Sequence, residues 1–237
     1  MKITVLGKYG PFSVNGGSTS GYLIETNKSY AAIDLGSGTL TKLLKKIDIN
    51  DLKFLFLSHL HFDHISDVGI LSYAVSFLRK DKKLRVYFYD DGSDMAKIIK
   101  KIEVFDCVLI KENQIYSEDN FVFSFYKMTH PVESHGIKIS DGEKTLAYTG
   151  DTTKNDNIFN LINGVDFLIA DGAYLQKDYN ENKPHMSVSQ VVKISKKYKF
   201  KTLISHLSYN YSDGQIYKEI GKNKFIKVAK ENKTYKI

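Results

Sequence analysis

The apolar positions of this chain fall into short runs separated by polar turns, and most runs follow one of two periods. Residues 3–6, 22–25 and 30–33 are brief apolar or β-branched stretches broken by Gly, Asn and Lys, which predicts three strands. A helix is predicted over 39–46. Residues 52–57 form an apolar strand that ends abruptly in polar residues. Ile65, Val68, Leu71, Ala74, Val75 and Leu78 then recur at spacings of three and four, as one face of a helix requires. Further strands are predicted at 84–89, 121–128, 136–139, 145–148, 167–170 and 202–204, with helices at 94–101, 157–162 and 187–197. Phe54, Phe56 and the phenylalanines of 121–125 alternate along their strands, which fits core packing better than base stacking. Strands and helices mixed throughout predict an α/β domain with at least one mixed sheet, and leave its topology open.

Composition narrows the class. No linker rich in Pro, Ser or Gly divides the 237 residues and no segment repeats, so one domain over 1–237 is expected. No apolar run approaches the ~20 residues of a membrane span. The opening MKITVLGKYG reads as a strand and a turn rather than a secretory signal, so no membrane partner is expected. The formal net charge of +7 suits an anionic substrate, although lysines spread from Lys42 to Lys236 fit a general compositional bias somewhat better. The single cysteine, Cys107, excludes an intrachain disulfide. It lies in the apolar run DCVLI, which predicts a buried strand position with a packing role, and favours a reducing cytoplasm.

The chemistry is concentrated in the histidines. Three of the seven lie within six residues, in SHLHFDH, where the strand at 52–57 gives way to a helix. On an extended backbone His59 and His61, two residues apart, point the same way. Asp63 and His64 follow at the helix start, placed to face a second metal. Imidazole and carboxylate are ligands that suit zinc. A histidine taken singly is usually a surface or satisfied core residue, but three at this spacing with an aspartate fit a ligand set.

SHLHFDH resembles the HxHxDH signature of the metallo-β-lactamase superfamily, and four further blocks resemble that family in the same order. They are LGSG after Asp34, MTHPV at His130, YTGDT at Asp151 and SHL at His206. The resemblance implies an α/β fold of the αββα type, two mixed β-sheets flanked by helices, with metals at one edge. It implies one site of His59, His61 and His130, a second of Asp63, His64 and His206, and Asp151 bridging both. Two zinc ions are expected, with manganese or iron as alternatives. A shared carboxylate leaves room for a shared hydroxide, the expected nucleophile.

His185, in KPHMSVSQ, precedes a helix that Ser187 is expected to cap, with Gln190 three residues on completing a capping box. A helix start can bind an anion, and His-x-Ser before a helix resembles the RNase Z-like phosphodiesterase branch. The resemblance implies that His185 and Ser187 meet the scissile phosphate. His185 would protonate the leaving group, and Asp63 would guide the proton of the nucleophile. Asp34 is expected to orient a ligand imidazole. Asp171 is expected to bond His185 or a ligand, or simply to cap a turn. His130 is preferred to His135 as the third ligand because it follows the strand at 121–128 and precedes Pro131; the role of His135 stays open.

Departures from the family pattern point to the substrate. The second site lacks the cysteine common in the β-lactamases, and His61 stands where the iron-containing flavoprotein relatives carry Glu. Lys154 stands where the lactonases often place tyrosine, and only 31 residues follow His206, too few for the helical addition of glyoxalase-type thioesterases. Only 20 residues separate His130 from Asp151, too few for the arm that grips transfer RNA. A small anionic nucleotide, such as a cyclic nucleotide, is therefore the expected substrate, with a lactone or an RNA as alternatives. The branch also implies a homodimer.

Overall fold

Strand alternation sets the layers. In the strand at Leu52–Phe56 the side chains of Phe54 and Phe56 point to one face and that of Leu55 to the other, and each set enters a different core. The same rule holds for Phe121, Phe123 and Phe125, which are buried while Val122 between them is exposed. This computed structural model describes residues 1–27, 29–80, 83–112 and 114–237.

The first sheet is laid down by β1 (Lys2–Gly7), β2 (Gly21–Thr26), β3 (Ser29–Leu35), β4 (Leu52–Phe56), β5 (Leu84–Phe88) and β6 (Phe105–Leu109). The second takes β7 (Ile115–Glu118), β8 (Phe121–Met128), β9 (Ser134–Ser140), β10 (Thr145–Tyr148), β11 (Phe167–Asp171), β12 (Lys201–Ser205) and β13 (Ile226–Val228). The last strand, β14 (Thr234–Lys236), returns to pair with β1. The orders are β14-β1-β2-β3-β4-β5-β6 and β13-β12-β11-β10-β9-β8-β7. Each sheet is antiparallel on one side and parallel on the other; pairing is parallel from β3 to β6 and from β10 to β13.

Between the sheets lies an aromatic core in which Phe54 stacks on Phe123 at 4.6 Å and Phe56 meets Phe125 at 4.8 Å between ring centroids. The outer face of the first sheet is covered by α1 (Thr39–Leu44), α2 (Phe62–Ile65), α3 (Val68–Leu78) and α4 (Asp94–Lys100). The outer face of the second carries α5 (Asn157–Ile162), α6 (Val188–Tyr198) and α7 (Asp213–Ile220). The layers are thus α, β, β, α, two mixed sheets between helices. Among the described residues no helix is long and apolar enough to cross a membrane.

Three expectations need correction. The periodic stretch from Ile65 to Leu78 is two helices, not one. Asp67 interrupts it: its carboxylate accepts from the Leu40 N–H at 2.8 Å and its own N–H donates to Leu35, which ties the chain to α1 and β3. Leu78, read as part of the buried face, is exposed. Cys107 is only half-buried, because β6 is the edge strand of its sheet.

Candidate metal centre

The loops that follow β4, β8, β10 and β12 converge at one edge of the sandwich, and each delivers a histidine or an aspartate. His59, His61, His130 and Asp151 form one group, and Asp63, His64, Asp151 and His206 a second; within each, one donor atom per residue lies within 4.8 Å of the others. Asp151 belongs to both. Its Oδ2 is 3.6 Å from His59 Nε2, 3.3 Å from His64 Nε2 and 3.2 Å from His206 Nε2.

Most of the rings are aimed by the nitrogen that faces away from the cluster. His64 Nδ1–H donates to Asp34 Oδ2 at 2.7 Å. His59 Nδ1 lies 3.1 Å from Ser58 Oγ, His206 Nδ1 3.2 Å from Ser20 Oγ, and His130 Nδ1 3.2 Å from the Pro184 carbonyl. All four therefore turn Nε2 inward. His61 is the exception and presents Nδ1, 3.0 Å from His59 Nε2 and 3.2 Å from His130 Nε2. A hydrogen bond on the outer nitrogen fixes both tautomer and ring direction, the usual support of a metal-bound imidazole.

The donor set fits divalent metals. Among the described residues, buried His64 Nε2 and Asp151 Oδ1 make no hydrogen bond, although His64 Nε2 lies close to two carboxylates. Burial holds His59, His61 and His206 below the ordinary histidine pKa and pushes His130 down to about 4, which keeps lone pairs available at neutral pH. Burial works against charge at His64 too, but Asp151 and Asp34 outweigh it and raise that pKa; surroundings that attract a proton also attract a metal cation. Burial lifts the Asp63 carboxyl to about 6. At Asp151 burial opposes ionisation, yet His206, His64 and His59 together hold the carboxyl well below its usual range.

Local backbone shape is part of the fit. Asp34 and His206 both adopt positive φ, 53° and 54°, a conformation uncommon for residues with a Cβ. A Cβ on Gly10 would sit 2.0 Å from the His206 ring, and one on Gly36 would sit 2.0 Å from the Asp63 carbonyl. The latter is the physical reason for a glycine two residues after Asp34.

The remaining candidates divide. Asp34, fully buried, accepts from Ser58 N and Ser58 Oγ, from Tyr148 Oη and from His64 Nδ1, and so fixes the direction of the His64 imidazole. His185 donates from Nδ1 to Asp171 Oδ2 at 2.8 Å, with its ring 5.2 Å from that of His130 and 4.8 Å from that of His206. Burial disfavours the imidazolium, but Asp171 overrides it and raises the His185 pKa to about 9. Asp171 is itself lifted by burial, to about 6, against the opposing pull of His185.

Ser187 is a correction. It is fully buried within the predicted capping box, accepting from Gln190 N and donating to Gln176 Oε1 at 2.8 Å, so it is not free for substrate. The start of α6 is also filled: Ser189 N donates to Glu219 Oε1 at 2.8 Å, and that carboxylate takes the place expected for a bound anion. His135 lies in neither donor group. It is buried and stacked on Tyr89 at 4.8 Å; among the described residues neither ring nitrogen makes a hydrogen bond, and Nε2 lies 3.9 Å from Glu112 Oε1.

Ser58, Tyr148, Ser20 and the Pro184 carbonyl also support the cluster, with no local sign of it in the sequence. Ser58 and Tyr148 sit inside the quoted blocks SHLHFDH and YTGDT, but nothing local marks them, because their partner Asp34 is 24 and 114 residues away. Asp34→Asn replaces an acceptor oxygen with an N–H group facing donors. It should lower zinc affinity by about 10–100-fold in chelator competition while the fold persists. Unchanged affinity in a folded variant would remove Asp34 from the site.

The comparisons agree with this geometry. The profile of the family described as "Anti-Pycsar protein Apyc1" matches residues 1–235. The probable metallo-hydrolase YhfI of Bacillus subtilis is 31% identical over 201 residues, covering 83% of this chain and 82% of that protein. Its crystal structure superposes with a TM-score of 0.92 at 27% identity, covering 99% of each chain. Ribonuclease Z of Sulfolobus acidocaldarius is 24% identical over 241 residues, covering 81% of this chain and 82% of that protein. The short form of human tRNase Z shares the fold, with a TM-score of 0.80 at 17% identity, covering 100% of this chain and 99% of that one. A histidine–aspartate cluster at the edge of an αββα sandwich and these relationships lead to one conclusion: the chain belongs to the anti-Pycsar protein Apyc1 family, within the RNase Z-like branch of the metallo-β-lactamase superfamily, and is a metal-dependent hydrolase.

Proposed function

We propose that this hydrolase is a phosphodiesterase that holds two zinc ions and cleaves a small cyclic nucleotide, and that it acts against Pycsar, as the name of its family says. The observation that carries the reading is the His185–Asp171 pair. With Nδ1 committed to Asp171, His185 keeps Nε2 for substrate beside the two donor groups, although with Asp171 and Asp151 it also forms a third cluster of possible donors. A proton donor set next to a paired-metal site suits a phosphodiester, whose leaving alkoxide needs a proton.

His59, His61 and His130 would hold one ion and Asp63, His64 and His206 the other, with Asp151 shared. When bound, such a pair polarises a phosphoryl group and lowers the pKa of water. The chain's own residues do the rest. His185 donates to the leaving oxygen, Asp171 keeps that imidazole charged and oriented, and Asp63 accepts a proton from the nucleophile. The segment between His130 and Asp151 is only the β9–β10 hairpin, which supports a small nucleotide over a folded RNA. The net charge of +7 would draw such an anion, and the single cysteine suits the cytoplasm.

We also propose a homodimer formed through α2 and α3. Phe62, Ile70, Tyr73 and Phe77 are 71, 59, 63 and 82% exposed, and the last three lie at helical spacing on one side of α3. Apolar surface grouped in this way usually marks a contact. Sedimentation velocity should give about twice the 27.0 kDa chain mass, and Phe77→Asp should give the monomer. A monomeric wild type at micromolar concentration would contradict the dimer.

The catalytic reading is tested with a cyclic nucleotide, bis-p-nitrophenyl phosphate and an acyl-homoserine lactone. Wild type should cleave both phosphodiesters and leave the lactone. His185→Ala should keep its zinc, lose about 10²–10⁴-fold on the cyclic nucleotide, and lose much less on bis-p-nitrophenyl phosphate, whose acidic leaving group needs little protonation. Lactone opening without phosphodiester cleavage would make the enzyme a lactonase, and loss of zinc from His185→Ala would make His185 a ligand.

A further inference from the structure

Two aromatic rings, on the segments that follow Gly10 and His206, have no part in the chemistry described so far. Phe12 and Tyr209 stack on each other with centroids 4.5 Å apart and planes 27° apart, yet they are 50% and 49% exposed. Neither belongs to any of the three buried cores.

Their position follows from how the chain passes His206. Gly10 lies against the His206 imidazole, so close that a Cβ would meet the ring. Gly10 N donates to the Leu207 carbonyl at 3.2 Å and Leu207 N donates to the Lys8 carbonyl at 2.8 Å, which holds the two segments side by side. Phe12 is two residues beyond Gly10, and Tyr209 is three beyond His206. Three residues of extended chain reach at most about 10 Å, a length that one nucleotide spans from its phosphate to the far edge of its base. Both residues are therefore tethered within one nucleotide's length of the segments that meet at His206.

We propose that the Phe12–Tyr209 pair is the surface on which the nucleobase of the substrate stacks. The inference rests on the phosphodiesterase reading for its substrate class. Flat side chains with two rotatable bonds lose little entropy on holding a ligand, and a base offers a matching π-face whatever its edge pattern. Stacking at this pair supplies affinity for a nucleotide over a bare sugar phosphate, and it acts without touching the metal ligands.

Binding tests this independently of turnover. Calorimetric titration of the zinc-loaded protein with adenosine 5′-monophosphate and with ribose 5-phosphate should show the nucleotide binding about tenfold tighter or more. In the double variant Phe12→Ala/Tyr209→Ala the two affinities should converge to within about twofold through loss of nucleotide affinity alone, with zinc content unchanged. Tyr209→Phe, which keeps the ring, should retain the preference. A preference that survives in the double variant, or is missing from wild type, overturns the proposal. An equal fall for both ligands overturns it too, because the pair would then only support His206. The phosphodiesterase reading is judged separately, by wild-type cleavage of a methyl riboside 3′,5′-cyclic phosphate, which has no base.

Discussion

The buried carboxylate of Asp34 is the interaction on which the metal centre depends. A carboxylate without contact with water is tolerable only when its lone pairs are filled, and four donors fill them: Ser58 N, Ser58 Oγ, Tyr148 Oη and His64 Nδ1. Those donors come from the loop after β4, from α2 and from β10 in the opposite sheet. One anion thereby joins the two sheets at the edge where the ligands gather. It also fixes Ser58, whose hydroxyl, having donated to Asp34, is left to accept from His59 Nδ1. The direction of the His59 and His64 rings traces back to one side chain.

Around that anchor the site concentrates charge that the chain cannot satisfy by itself. Four inward-facing Nε2 atoms, the Nδ1 of His61 and two carboxylates share a small volume, and among the described residues His64 Nε2 and Asp151 Oδ1 make no hydrogen bond. The cost appears in the backbone as well, at the positive φ of Asp34 and His206. Strain and unpaired polar atoms of this kind persist where the surrounding fold enforces them, and they collect at functional positions. The sandwich enforces them here through an aromatic core on one side and aliphatic cores under the helices on the other.

Much of this was legible in the sequence wherever the physics is local. Period-two alternation at Phe54 and Phe56 and at Phe121, Phe123 and Phe125 identified the inner face of each sheet. The SHLHFDH block announced its chemistry through spacing, and the capping box at Ser187 and Gln190 formed as expected. What failed depends on distant partners. The start of α6 looked open to an anion because Glu219, which fills it, lies 30 residues further on. The break between α2 and α3 follows from contacts of Asp67 with α1 and β3 that no periodicity contains. The short strands β7, β13 and β14, with three or four residues each, are defined by their neighbours rather than by an apolar run.

The central claim is that one carboxylate, Asp151, is shared between two metal sites. Anomalous diffraction at the zinc edge, on crystals of protein purified without chelator, tests it directly. The account predicts two peaks per chain, one among His59, His61 and His130 and the other among Asp63, His64 and His206, with Asp151 between them. A single peak with Asp151 on one side only, or strong peaks away from these residues, would contradict it.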